Sequence, residues 1–150
     1  MTKKAPKKAS DVLDKLAAKE RRRPDEPSAQ VLVRLIVDAV RSKKAKDVVL
    51  IDLKEVSEMA DYFVLCTGES DLQVKAIVDG VRQSVRDACG ERPWRTEGYS
   101  HRQWVLMDYV DVVVHVFDSE RRDYYNLERL WADAKVEDIE EEADVIKLLN

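Results

Sequence analysis

The sequence holds little of what nucleophilic, redox or metal chemistry draws on. Of its 150 residues, two are cysteine, two histidine and four glycine. Cys66 and Cys89 stand far apart without metal-ligand spacing, so nothing here supports a zinc site. In a chain with no apolar leader, two such cysteines read as reduced, buried and cytoplasmic. No apolar run approaches the ~20 residues of a membrane span, and the N-terminus lacks the apolar core of a secretory signal. The glycines form no Gly-rich phosphate fingerprint, and no Walker lysine follows them. No Ser-His-Asp or Cys-His set can be nominated. His115, in mid-strand between two valines, reads as a partly buried, hydrogen-bonded histidine rather than a ligand. A net charge of −4 excludes a protein whose whole surface grips nucleic acid.

What is present fits one globular domain: 45% hydrophobic and 37% charged residues in a chain long enough for a sizeable core. Trp104 to Asp108 and Val112 to Phe117 are rich in β-branched and aromatic residues, and a polar turn separates them. They read as two antiparallel strands. Alternation puts Trp104, Leu106 and Asp108 on one face of the first strand and Val105, Met107 and Tyr109 on the other. In the second strand, Val112, Val114 and Val116 face away from Val113, His115 and Phe117. Both faces are largely apolar. The chain's own helices can cover one, and a partner is a candidate for the other.

Residues 1–27 read as a basic, flexible arm. Lys3, Lys4, Lys7, Lys8 and Arg21-Arg22-Arg23 supply the charge, and Pro6, Pro24 and Pro27 punctuate it. Ser10 is placed to cap a short helix carrying Val12, Leu13 and Leu16, but little fixed structure is expected overall. The arm suits a solubilising tail or contact with an RNA backbone. Its interspersed acids argue against a mitochondrial transit peptide.

The domain proper is expected over residues 28–131. Ser28 caps a helix with Val31, Leu32, Leu35, Ile36, Ala39 and Val40 at helical spacing. Val48 to Leu53 and Tyr62 to Thr67 read as strands. Ser70 to Gln73 is a capping box for a second helix, which ends at Gly90. Pro93 to Glu97 is a short strand leading into the central pair. Ser119 opens a last helical segment to Trp131. The order predicts a mixed α/β sheet of about five strands with helices mainly on one face. Residues 132–150 read as an acidic tail.

Gly68-Glu69-Ser70, between a strand and a helix, is a weak phosphate-cradle candidate. With Asp108 and Asp111 it would sketch a nucleotidyltransferase-type enzyme. Those aspartates stand three apart across a turn, which is wrong for paired carboxylates holding two metal ions. Aromatics concentrate in the second half of the chain, and aromatics are enriched at interface centres. Trp104 shares a strand face with an aspartate that is costly to bury unpaired. It is therefore expected to be an exposed interface anchor rather than a core residue.

Several blocks carry a resemblance: Asp61 to Ser70, Glu97-Gly98-Tyr99, Trp104 to Tyr109, Asp111 to Phe117, and Tyr125 to Trp131. In that order and spacing they resemble the ribosomal silencing factor family, also called Iojap-like, over Val31 to Trp131. The resemblance implies a nucleotidyltransferase-like α/β fold without catalysis or cofactor. It implies binding to the fourteenth protein of the large ribosomal subunit, on the face that meets the small subunit. Subunit joining would be blocked and translation lowered when nutrients run short. Organellar relatives imply a role in large-subunit assembly. Glu97, Tyr99, Trp104, Met107, Asp108, Tyr109, Asp111 and His115 are the candidate partner-binding residues, with the acids facing a basic ribosomal protein. A plain homodimer burying the same face is the competing non-enzymatic reading. Val110 departs from the family, which usually has glycine there. A β-branched residue tolerates positive φ badly, so a different turn is expected.

Overall fold

The computed structural model describes residues 9–20 and 25–149. Lys3, Lys4, Lys7, Lys8, Pro6, Pro24 and the Arg21-Arg22-Arg23 cluster lie outside the described residues.

The first long helix, α2 (Ala29–Ser42), follows a shorter α1 (Ala9–Glu20). Ser28 caps α2 as its sequence predicts, its hydroxyl accepting the Val31 N–H at 3.2 Å. Strands β1 (Lys46–Asp52) and β2 (Tyr62–Gly68) pair antiparallel. The second long helix, α3 (Asp71–Cys89), starts at Ser70, whose hydroxyl accepts the Gln73 N–H, and stops at Gly90 in the left-handed region. The Gln73 side chain reaches back to the Glu69 N–H at 2.6 Å. Both ends of α3 are thus set by local sequence. Strands β3 (Arg95–Glu97), β4 (Trp104–Asp108) and β5 (Val112–Asp118) follow, then the short helices α4 (Ser119–Tyr125) and α5 (Leu127–Leu130).

Two expectations are corrected at the C-terminal end. Asp118, not Ser119, is the cap of α4, its carboxylate accepting the Arg121 N–H at 2.8 Å. Asn126, at φ 44° and ψ 61°, divides the expected single helix into α4 and α5. The acidic stretch is not a free tail either. Lys135–Asp138 form a sixth strand, β6, paired antiparallel with β1, and α6 (Glu142–Leu149) follows. Ile139 and Val145 are buried in the main core. The charges along β6 hid it from a reading based on apolar alternation, although charge is what an edge strand needs to deter further pairing.

The sheet order is β3-β4-β5-β2-β1-β6, with β2 and β5 parallel and the other neighbouring pairs antiparallel. Helices α2 and α3 cover one face, burying Val33, Ile36, Val37, Ile77, Val78 and Val81 against Val64, Val105, Met107, Val114 and Val116. The second face carries a separate cluster: Ile51, Leu53, Leu65, Trp104, Leu106, Val113, Phe117 and Leu127. The alternation read from β4 and β5 therefore holds.

The β4–β5 turn keeps a positive φ despite its valine. Val110 sits at φ 77°, and its N–H is held by the Asp108 carboxylate at 2.7 Å. The expectation of a different turn fails because that hydrogen bond and the paired strands fix the geometry. A β-branched residue there carries strain of about 1–2 kcal/mol. Gly98 is needed for a different reason. At φ 80°, a Cβ would come within 2.1 Å of the Trp104 carbonyl oxygen, so only glycine lets the Gly98–Gln103 loop close on β4.

Candidate functional site

The second sheet face gathers most of the polar groups that the sequence singles out. Directly opposed residues on antiparallel neighbours share a face. Arg95 opposes Asp108 and Glu97 opposes Leu106, while Leu106 opposes His115 and Trp104 opposes Phe117. Glu97, Trp104, Asp108 and His115 thus belong to one face. Met107 and Tyr109 do not: both pack in the cluster beneath α2 and α3. Tyr99 leans against that same side, its hydroxyl donating to Asp79 Oδ1 at 2.9 Å. The eight residues nominated from sequence are therefore split between the two sides of the sheet. The polar ones form a constellation, and the apolar ones are core.

Trp104 is not exposed. It is 4% accessible, and the Phe117 and Tyr125 rings lie 4.9 and 4.5 Å from it, centroid to centroid. Its indole N–H donates to His115 Nδ1 at 3.0 Å. The expectation of a wet anchor is corrected: α4 brings Tyr125 over the indole, and the N–H finds a partner inside the protein. Since Nδ1 accepts, the neutral imidazole carries its proton on Nε2. That Nε2 has no hydrogen-bond partner among the described residues. Burial drives the His115 pKa down to about 3, helped by the Lys15 and Arg122 charges. The ring is neutral at physiological pH.

Asp108 is buried as well, and the residue that makes this possible comes from the arm. Lys15 Nζ lies 3.0 Å from Asp108 Oδ2, and both side chains are almost wholly inaccessible. Burial pushes the Lys15 ammonium down and the Asp108 carboxyl up, and each charge pulls the other back. One turn along, Lys19 Nζ lies 3.8 Å from Asp111 Oδ1 and donates to the Glu58 carbonyl at 2.9 Å. Over Ala9–Glu20 the arm is thus a docked helix, not a segment without fixed structure. Sequence reasoning missed Lys15 because a lysine between Val12 and Leu16 looks like a solvated position. The signal was its place in the stripe: Val12, Lys15, Leu16 and Lys19 share one side of a helix, and Leu13 points out, 65% exposed.

Beneath α1 lies a cavity of about 160 Å³, lined by Val12, Met59, Phe63, Leu106, His115 and Trp131 among others. Trp131 is only half-buried, its edge against Phe63 at a centroid distance of 5.7 Å.

The enzyme-like set is not brought together. Gly68 pairs with Asp118 where β5 ends, whereas Asp108 pairs with Val113 where β5 begins. Five strand residues, roughly 17 Å, separate the two ends. Gly68 has a packing reason instead, since a Cβ there would meet the Val74 side chain at 2.7 Å. Among the described residues, no three or more His, Cys, Asp or Glu gather into a metal-binding group. Cys66 is a buried free thiol whose pKa burial raises to about 12, and Cys89 is free and half-buried. Among the described residues, no helix is long and apolar enough to cross a membrane.

Comparison with known proteins supplies what this geometry does not. The family described as "Ribosomal silencing factor during starvation" matches residues 25–147. The ribosomal silencing factor of Halalkalibacterium halodurans is 45% identical over 113 residues, 75% of this chain and 96% of that one. A crystal structure of a Chromobacterium violaceum protein superposes with a TM-score of 0.68 at 34% identity, covering 71% of this chain and 88% of that one. A mouse protein named "Mitochondrial assembly of ribosomal large subunit protein 1" is 28% identical over 109 residues, 71% of this chain and 48% of that one. The match runs through β6 and α6, so the C-terminal segment outside the resemblance read from sequence belongs to the family's domain.

Proposed function

The chain belongs to the ribosomal silencing factor family, and from that premise we propose that it binds the large ribosomal subunit and prevents its joining with the small one. The observation that carries this is the family match over residues 25–147. The contact would be with the fourteenth protein of the large subunit, on the face that meets the small subunit. Occlusion is steric, and translation falls when nutrients run short. The reading is one of binding in the cytoplasm, with no reaction, cofactor or metal asked of the protein.

Within the domain, the face carrying Glu97, Asp108, Asp111 and His115 is our candidate contact surface, with Trp104 buried under Tyr125 as its support. Ribosomal proteins are basic, so carboxylates set in an apolar face give both steering and register. Met107, Tyr109 and Tyr99 support the sheet from behind. Large-subunit assembly is a second reading, favoured by the name of the mouse relative. Contact of the arm's outer lysines and arginines with ribosomal RNA is compatible with either.

Co-sedimentation with purified subunits tests the proposal. The protein should pellet with large subunits, should not pellet with joined ribosomes, and should reduce joining when added before small subunits. Equal binding to small subunits alone would overturn it.

A further inference from the structure

Helix α1 stands outside the family's domain and on top of the surface just proposed as the contact. The family match begins at residue 25. Helix α1, Ala9–Glu20, ends before that match starts. The fold of the family therefore stands without α1. In this chain something has been added that covers Asp108, Leu106 and His115.

We infer that α1 is an internal occupant of the partner surface: it competes with the ribosomal partner, and the segment that replaces it presents a lysine or arginine to Asp108. The inference rests on the proposed large-subunit binding and adds to it a regulated access and a chemistry for the partner.

Three features make α1 displaceable rather than part of the permanent core. Its central contact is a buried ion pair, Lys15 with Asp108. Such pairs specify position but add little net stability, because the attraction is largely spent on desolvating both charges. Its packing is incomplete, with the cavity of about 160 Å³ where close-packed side chains would otherwise gain dispersion energy. Of the two leucines in its middle, Leu13 faces solvent and Leu16 is only half-buried. The tether to α2 is short, so α1 meets its surface at high effective concentration even with weak contacts.

The same features define the competitor. When α1 leaves, Asp108 keeps the Val110 N–H but gives up its lysine. Arg95, opposite it on β3, still acts on it from nearby, but burying the carboxylate again without a directly paired cation is costly. Whatever replaces α1 must cover Leu106 and Val113 with apolar atoms and bring a cation to Asp108. A basic protein segment does both. RNA phosphate would meet a carboxylate with like charge, so the occupant is protein.

The experiment compares the full-length chain with Lys15→Glu, Lys15→Arg and Lys147→Glu by quantitative co-sedimentation with large subunits. Lys15→Glu sets an acid against Asp108 and releases α1. Lys147→Glu makes the same change in net charge at an exposed position. Lys15→Glu should bind about tenfold more tightly, the gain expected if about a tenth of the wild-type molecules are open. Lys15→Arg and Lys147→Glu should stay near wild type. Hydrogen exchange on the wild-type chain gives a readout that needs no variant. Amides of α1 should lose protection on binding while those of β4 and β5 keep theirs. If α1 stays protected in the complex, or if Lys15→Glu frees α1 without tightening binding, the inference is overturned and subunit binding stands. If neither wild type nor variant binds large subunits, the proposed function itself falls and takes the inference with it.

Discussion

His115 ties the aromatic cluster of the second sheet face to the protein's response to pH. It accepts the Trp104 N–H, is closed off from solvent, and is held neutral by burial with a pKa of about 3. In the unfolded chain a histidine titrates near 6.5. The unfolded state therefore binds more protons between those two values, and stability is lost as pH falls through that window. Asp108 works in the opposite sense. Its carboxyl is raised by burial, so it favours folding in acid and loses that contribution as pH rises. Comparing variants separates the two. His115→Gln keeps an acceptor for the indole and removes the titration. Between pH 7 and pH 4, the wild type should lose about 2–3 kcal/mol more than His115→Gln, measured by urea unfolding. Parallel losses would mean that the ring titrates in the folded protein much as it does in the unfolded chain.

At the scale of elements, legibility follows the strength of local signals. Caps with their own side chains, such as Ser28 and Ser70, and strands with unbroken apolar runs were readable because the deciding interaction is local. Asp118 was displaced by one residue for the same reason: either hydroxyl or carboxylate can cap, and only the geometry chooses. The sixth strand was not readable. Lys135, Glu137 and Asp138 carry no alternation, and the strand exists because β1 offers an edge and Ile139 and Val145 reach the core. The site divides along the same line. Strand alternation correctly put Trp104, Leu106 and Asp108 together. It could not reveal that Tyr125 and α1 come back over them, because those contacts join residues far apart in sequence. The β6 assignment has a direct test. A chain ending at residue 131 loses two buried aliphatic side chains and bares the edge of β1. It should be less stable by about 3–5 kcal/mol and should self-associate through that edge. Urea unfolding with light scattering reads both, and a stability equal to that of the full chain would return the segment to a solvated tail.

At the scale of the molecule, the sheet has two apolar faces and the family's domain supplies long helices for only one of them. The second is closed here partly by α4 and α5 and partly by an arm that the family does not require. Removing residues 1–24 should leave the core under α2 and α3 intact and expose Leu106, Val113 and the edge of Phe63 around an aspartate that has lost its lysine. Such a surface seeks cover. If it exceeds roughly 600 Å² per copy it can support a dimer of the smallest stable kind, so the shortened chain should sediment as a concentration-dependent dimer and the full chain as a monomer. Salt then tells self-association from partner binding. Two copies meeting on this face bring Asp108 towards like charge, so added salt should strengthen the dimer by screening repulsion. Binding to a basic ribosomal protein joins opposite charges, so the same salt should weaken it. Sedimentation of the shortened chain at low and high salt, alone and with large subunits, should show these opposite trends. A shortened chain that stays monomeric at every concentration would mean that α4 and α5 already cover the face well enough without the arm.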